Sequence, residues 1–366
     1  MTSSANHTAT NAQPAGGGRV SSGAQSADDG TPAIAQPAGA SGLSSGARPT
    51  GGDEFSASVQ SVGDGISASV QPIGDGISAS VQSVGDNSSS GAQPTAGERL
   101  RLHVLGSGSK GNCALVEGPC GLIMIDDGFS RREVLRRMHE LGLSEDDVRA
   151  LILTHEHSDH VSGVSVWCKR FSGELYASAG TAEARSYLAN LPFQTFCPGD
   201  ELTIAGVRVR TFATSHDVVN PVGFRFQCGA DTIGYATDTG TLSAEALEAL
   251  ADVRVLALES NHDIPMLRCG SYPRVLQDRI ASDRGHLSNE QAADALRQVL
   301  GSRTEHVVAM HISQENNRPS LAVRALAAAV GAELDNELGS SATLTRGNNE
   351  PALRIRPAGQ LRPFSV

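Results

Sequence analysis

Three histidines, a glutamate and an aspartate crowd into His155-Glu156-His157-Ser158-Asp159-His160, directly after the apolar run Leu151-Ile152-Leu153. Neutral imidazole nitrogens and carboxylate oxygens are the donors that Zn²⁺, Mn²⁺ and Fe²⁺ accept, and an H-x-H-x-D-H spacing offers four of them within reach of one tight loop. The stretch reads as a metal site rather than as a polar surface loop.

Further chemistry-bearing residues share one kind of address. His216 follows the strand candidate Val207 to Ala213, Asp238 follows Thr232 to Thr237, Glu259 ends Val253 to Glu259, and His311 ends His306 to His311. Each stands where a strand leaves the core, and loops at strand ends carry functional groups on a rigid scaffold, so five such exits can converge on one rim. Aliphatic and β-branched runs predict further strands at Arg101 to Leu105, Cys113 to Val116, Gly121 to Ile125, Arg149 to Thr154, Leu202 to Ile204 and Val222 to Gln227. Helices are expected over Arg131 to Leu141, Val161 to Phe171, Ala182 to Ala189, Ala244 to Ala251, Asn289 to Leu300 and Ser320 to Val330. Ser288, followed three residues on by Gln291, caps one of them. Two strand-rich halves flanked by helices predict stacked sheets with helices outside.

Composition divides the 366 residues in two. Residues 1–97 are rich in Ser, Gly, Ala, Pro and Gln, with one Phe and no Tyr, Trp or Cys, and cannot bury enough apolar surface to offset chain entropy. A disordered tail is expected there, followed by one folded domain over 98–366. Within the tail an 11-residue unit recurs from Ser56, Ser67 and Ser78, read as a repeat-expanded linker ahead of a small β-solenoid. No apolar stretch suits a signal peptide or a membrane span of about 20 residues, so the expected location is the cytoplasm, with no membrane partner. Six cysteines without C-x-x-C pairing read mostly as buried thiols. Net charge is −11, of which the tail carries enough to leave the folded part near −6. This balance counts mildly against long electrostatic contact with nucleic acid but not against a phosphoester substrate, because bound cations reverse the field locally.

The motifs in order, His155 to His160, Thr214-Ser215-His216-Asp217, Thr237-Asp238-Thr239 and Met310-His311-Ile312-Ser313, resemble the metallo-β-lactamase superfamily over roughly residues 101 to 345. Gly106 to Cys113, Ile125-Asp126-Asp127-Gly128, Glu259 to Asp263, Ser282 to Ser288 and His311 to Asn317 narrow the resemblance to its YycJ (WalJ) branch. The resemblance implies an α/β fold, a four-layer αββα sandwich, around two divalent ions (Zn²⁺ or Mn²⁺, with Fe²⁺ also compatible). One ion would take His155, His157 and His216, the other Asp159, His160 and His311, with Asp238 bridging and a hydroxide between the ions as nucleophile. Glu156 is not expected to be a ligand, and Asp126 is expected to hold the loop by hydrogen bonding.

Asp159, His286 and Glu259 are the expected catalytic residues. Gly285-His286-Leu287-Ser288 with Glu259 is similar to a His/Glu pair that assists phosphodiester cleavage in the ribonuclease Z branch; the alternative is that His286 caps the helix near Asn289. Ser107, Ser109, Asn112, Ser313 and Asn316 are candidate substrate contacts, although a glycine-rich hairpin at 106–112 needs no ligand to explain it. The branch implies 5′-to-3′ exonuclease action on DNA. Hydrolysis of a small phosphodiester, thioester or lactone is the alternative, and a non-enzymatic regulatory protein the third. Only 73 residues separate Asp238 from His311, too few for the large insertion of ribonuclease J, and no basic protruding arm lies between His160 and His216. Protein partners and oligomeric state are not specified.

Overall fold

The computed structural model describes residues 99–347 and 350–366, together with the backbone of three short strands between residues 56 and 82. Contacts divide the chain between Asn87 and Ser88. In the first unit Gly76–Gln82 pairs antiparallel with Ser67–Ile73 and parallel with Ser56–Val59, in a register that sets Ser56 opposite Ser78, the same position two repeats apart. The rest of the segment expected to be a disordered tail lies outside the described residues.

In the second unit the strands run in order as β1 (Arg101–Gly106), β2 (Cys113–Gly118), β3 (Gly121–Ile125), β4 (Val148–Ile152), β5 (Glu174–Ser178) and β6 (Phe193–Phe196). They continue as β7 (Glu201–Ile204), β8 (Val207–Ala213), β9 (Val222–Cys228), β10 (Asp231–Ala236), β11 (Val255–Glu259) and β12 (His306–Met310). The last four are β13 (Glu333–Leu334), β14 (Ala342–Leu344), β15 (Leu353–Pro357) and β16 (Phe364–Ser365). One sheet has the order β16-β1-β2-β3-β4-β5-β6, the other β7-β8-β9-β10-β11-β12-β15-β14-β13.

Successive strand residues face opposite sides of a sheet, and this alternation builds the layers. Leu102, Val104, Ile123 and Ile125 of the first sheet meet Phe224, Ile233, Val255 and Ala257 of the second in the apolar layer between them. Leu105, Leu115 and Met124 turn outward onto Val134 and Met138 of helix Arg131–Glu140, while Leu256 and Leu258 turn outward onto Leu296 and Leu326 of helices Asn289–Val299 and Pro319–Val330. The three apolar layers give the four-layer αββα order that the resemblance implies. Strands β10, β11, β12 and β15 run parallel, and β3 to β6 likewise. Buried on both faces, β12 is accordingly an unbroken apolar run from Val307 to Met310.

The expected helix Val161 to Phe171 is two short pieces, Ser158–Val161 and Val164–Trp167. Gly163 is the reason: its N–H donates to Asp127 O at 2.8 Å, and a Cβ there would lie 2.1 Å from Phe129 O, so the backbone presses against the metal-loop neighbour instead of continuing the helix. Ala182 to Ala189 is likewise split, into Ala179–Glu183 and Ser186–Ala189. The cysteines also depart from expectation, since Cys113 is buried whereas Cys120, Cys197 and Cys269 are exposed.

A buried clamp joins the sheets. Arg254 donates to both oxygens of Asp231 (2.5 and 2.9 Å) and to Leu100 O (2.6 Å), and Asp231 Oδ2 accepts from Leu100 N (2.7 Å). Leu100 leads into β1, while Asp231 opens β10 and Arg254 precedes β11. Arg254→Ala strands a buried carboxylate and is expected to destabilise the domain by about 3–5 kcal/mol in urea titration, with Arg254→Met/Asp231→Leu recovering much of the loss because no charge is left uncompensated. Equal stability of Arg254→Ala and wild type would exclude the clamp.

Candidate metal centre

The strand exits deliver the functional residues in unusual backbone conformations. Asp126, one residue past β3, has φ 59°; Asp238, two past β10, has φ 55°; and His311, one past β12, has φ 51°. Left-handed backbone is uncommon outside glycine and clusters at functional sites, where surrounding structure holds it. Here it turns each side chain inward to the space that the His155–His160 loop faces after β4.

Four imidazoles are anchored through Nδ1. His160 Nδ1 donates to Asp126 Oδ2 (2.7 Å), His216 Nδ1 to Gly285 O (3.0 Å), His311 Nδ1 to Glu259 Oε1 (3.1 Å), and His155 Nδ1 to Thr154 Oγ1 (3.0 Å), whose hydroxyl donates to Asp126 Oδ2 (2.8 Å). Such bonds fix the tautomer and leave Nε2 as the unprotonated nitrogen, the one that can ligate. His157 is turned the other way, its Nδ1 3.2 Å from His216 Nε2 and its Nε2 3.5 Å from Asp217 Oδ1.

The donor atoms fall into overlapping groups, each within 4.8 Å: His155/His157/His216, Asp159/His160/His311, and His155/His160/Asp238 between them. Asp238 Oδ2 lies 3.3 Å from His160 Nε2 while Oδ1 lies 3.9 Å from His216 Nε2, so one carboxylate faces both triads. Nε2 of His155 and of His311 is buried without a hydrogen-bond partner. Buried polar atoms without partners are rare and costly, and converging lone pairs and carboxylates are the arrangement that divalent cations compensate. The residues therefore fit two ions. Burial pushes His155 well below the ordinary imidazole value and keeps it in the neutral, ligating form.

Glu259 also falls in a donor group, with Asp238, His286 and His311, but both its oxygens are already engaged. Oε1 accepts from His286 Nδ1 (2.8 Å) and His311 Nδ1, and Oε2 accepts from Thr239 N (2.9 Å) and Leu287 N (3.2 Å). Burial pushes this carboxyl up, but the adjacent imidazoles of His286 and His311 outweigh it and hold it down at about 2. His286 stands over the centre, its ring 5.0 Å from that of His216 and 5.1 Å from that of His311. The helix starting at Asn289 is capped by Ser288 and Gln291 in a reciprocal capping box, so His286 has no capping role.

The family described as Beta-lactamase superfamily domain matches residues 122–312, more than half of the chain and all seven metal-ligand candidates. The chain belongs to the metallo-β-lactamase superfamily. Exodeoxyribonuclease WalJ of Streptococcus pneumoniae is 35% identical over 225 residues, covering 60% of this chain and 84% of that protein. Exodeoxyribonuclease YycJ of Bacillus anthracis is 34% identical over 227 residues, covering 61% and 86%. Among solved structures, the metallo-beta-lactamase fold protein YhfI from Bacillus subtilis aligns with a TM-score of 0.52 at 14% identity, covering 73% of this chain and 99% of that one. This metallo-β-lactamase member is thus a metal-dependent hydrolase of the YycJ-like branch. Among its described residues no helix is long and apolar enough to cross a membrane.

Other candidates take different positions from those expected. Of the five substrate candidates, Ser107, Asn112, Ser313 and Asn316 are buried and Ser109 is exposed. Ser107 Oγ accepts from His311 N (2.8 Å); Asn112 accepts from Gly108 N (2.8 Å) and reaches Asp159 and His160 Nε2 (3.1 and 2.9 Å); Ser313 Oγ accepts from Asn316 N (3.1 Å). These side chains build the rim from within. Glu156 accepts from Val219 N (3.0 Å) and Thr181 Oγ1 (3.2 Å), which ties the loop after His216 to the first sheet.

Three site residues escaped sequence reading. Asp217, beside His157, is held by Arg279 from 62 residues away (Nε 2.6 Å). Asn261 Nδ2 donates to His311 O (2.8 Å). Arg284 donates to His216 O (3.1 and 3.3 Å). All three stood inside quoted motifs, the one signal available.

Proposed function

We propose that this protein is a dinuclear-metal-dependent phosphodiesterase acting on nucleic acid, with DNA suggested by its likeness to the exodeoxyribonucleases WalJ and YycJ and 5′-to-3′ polarity by the motif resemblance alone. The observation that carries the reading is the Glu259–His286 pair beside the metal donors, at 2.8 Å. His155, His157 and His216 would hold one ion, Asp159, His160 and His311 the other, and Asp238 both. Two bound divalent ions supply Lewis-acid polarisation of a phosphoryl oxygen and make water a nucleophile near neutral pH.

The chain's own residues do the rest. Glu259 accepts the His286 Nδ1 proton and so aims Nε2 into the site, where a protonated ring donates to the departing alkoxide. The same carboxylate orients His311, which couples the acid to the metal donors. Asp126 orients His160, and Asn112 holds Asp159 and His160 in register. Imidazole and carboxylate donors suit Zn²⁺, Mn²⁺ and Fe²⁺ alike, and the metal that restores activity after chelation identifies the working one.

The test is a substrate panel with purified, metal-loaded protein: strand-specific end-labelled DNA, bis-p-nitrophenyl phosphate and a thioester. Release of nucleotides from the 5′ end, abolished by EDTA, is expected. Thioester turnover without phosphodiester cleavage would refute the reading.

A further inference from the structure

We infer that the groove between the His311 loop and the C-terminal segment holds the unpaired strand end that leads to the scissile phosphate; this rests on the nuclease reading above. The groove is a cavity of 510 Å³, within the roughly 300–1,000 Å³ of sites that take nucleotide-sized ligands. Ser107, whose hydroxyl accepts from His311 N, and Ile312, next to His311 in the chain, are among its lining residues, so it lies beside the strand exit that carries His311.

It is preformed. Ser107 N donates to Gly359 O (3.3 Å), Gln360 binds Lys110 N (3.1 Å) and Gly111 O (2.7 Å) through its side-chain amide, and Arg137 donates to Gln360 O (2.9 Å). The segment 358–362 is thereby strapped to the glycine hairpin at 106–112. That gives the hairpin a structural task of its own.

Charge along the groove runs against the domain's acidic balance. Residues 351–366 contain three arginines and no acid, and residues 312–332 contain Glu315 as their one carboxylate. Arg318 and Arg362 line the groove, Lys110 flanks it, all three are exposed, and among the described residues none has a carboxylate within 4 Å. Cations left free in an acidic domain, at the mouth of a phosphodiester-cleaving centre, are complementary to a phosphate backbone. The floor is apolar, with Ile312, Pro319 and Ala358, and Leu361 stands 74% exposed on the rim. An apolar floor with guanidinium groups at the edge receives an unstacked base and its phosphates. A duplex hides its base faces and offers nothing to that floor, so the occupant is single-stranded.

The experiment measures KM and kcat of the full-length, metal-loaded protein on end-labelled single-stranded DNA across a salt series, for wild type and for Lys110→Ala/Arg318→Ala/Arg362→Ala. KM is expected to rise about tenfold or more with kcat at saturating DNA retained, and the slope of log KM against log salt to fall by about 2, at ~0.7 for each phosphate that is no longer neutralised. Arg318→Lys/Arg362→Lys keeps most of the slope. An unaltered KM and slope in the triple variant, with DNA cleaved normally, would overturn the groove and leave the nuclease reading standing. A raised KM on blunt duplex but not on single strands would overturn the unpaired-end assignment. Wild-type protein that turns over bis-p-nitrophenyl phosphate but no DNA would overturn both.

Discussion

Asp238→Ala is expected to lose about 10³–10⁴-fold in turnover and to retain at most one divalent ion per chain, measured by metal analysis beside kinetics. A metal centre that stabilises transition-state charge contributes several kcal/mol, and each 1.36 kcal/mol is tenfold in rate. Asp238 is the residue whose loss spreads furthest. Its two oxygens face His160 and His216 from opposite triads, and Thr237 Oγ1 donates to Oδ2 at 2.7 Å to fix the carboxylate plane. Deleting the side chain therefore weakens both ion sites, whereas deleting any one imidazole weakens one. Asp238→Asn separates charge from conformation, because Asn tolerates the left-handed backbone at φ 55° as well as Asp does. The expected order is normal stability for the Asn variant with metal loss nearly as deep as for Ala. Full metal content and turnover in both variants would exclude Asp238 as the shared ligand.

The seven ligand candidates were legible because each is a polar residue of ligating type placed just where an apolar strand ends, and because three histidines within six residues have few structural explanations. The αββα order was legible for a related reason: runs such as Val307 to Met310 announce strands buried on both faces. What failed to show was anything decided by a distant partner. Asp217 and Arg279 are 62 residues apart, and Asn261 and His311 50, so no local pattern pairs them. The split of the helix after His160 depends on Gly163 meeting Phe129 O, a contact made only after folding. Ser107 and Asn112 read as candidate substrate contacts because a Gly/Ser-rich hairpin offers hydroxyls and amides near the metals, and the sequence does not show that their side chains also satisfy His311 N and Gly108 N inside the rim. Strand β5, one in from the sheet edge, and the edge strand β16 lack the β-branched runs that mark the central ones, and β13 is two residues long.

His286→Ala is expected to lower kcat on DNA by about 10²–10⁴-fold, the range for a general acid, with both ions retained. Metal retention follows because His286 completes neither triad; its nearest fixed contact is Glu259 Oε1 at 2.8 Å. The loss should depend on the leaving group. A deoxyribose alkoxide is a poor leaving group and needs a proton as the bond breaks, whereas p-nitrophenolate leaves without one, so the variant's deficit on bis-p-nitrophenyl phosphate should be far smaller than on DNA. Added imidazole should restore part of the DNA activity. Equal deficits on both substrates would mean that His286 serves geometry or binding instead. Glu259 acts as a positioning residue through two rings at once, so Glu259→Gln should combine the His286 phenotype with weaker metal binding, about 10–100-fold, from the loosened His311. The leaving-group difference and the metal deficit thus belong to two rings held by one carboxylate oxygen. A His286→Ala variant isolates the first, and the excess metal loss in Glu259→Gln over it measures the second.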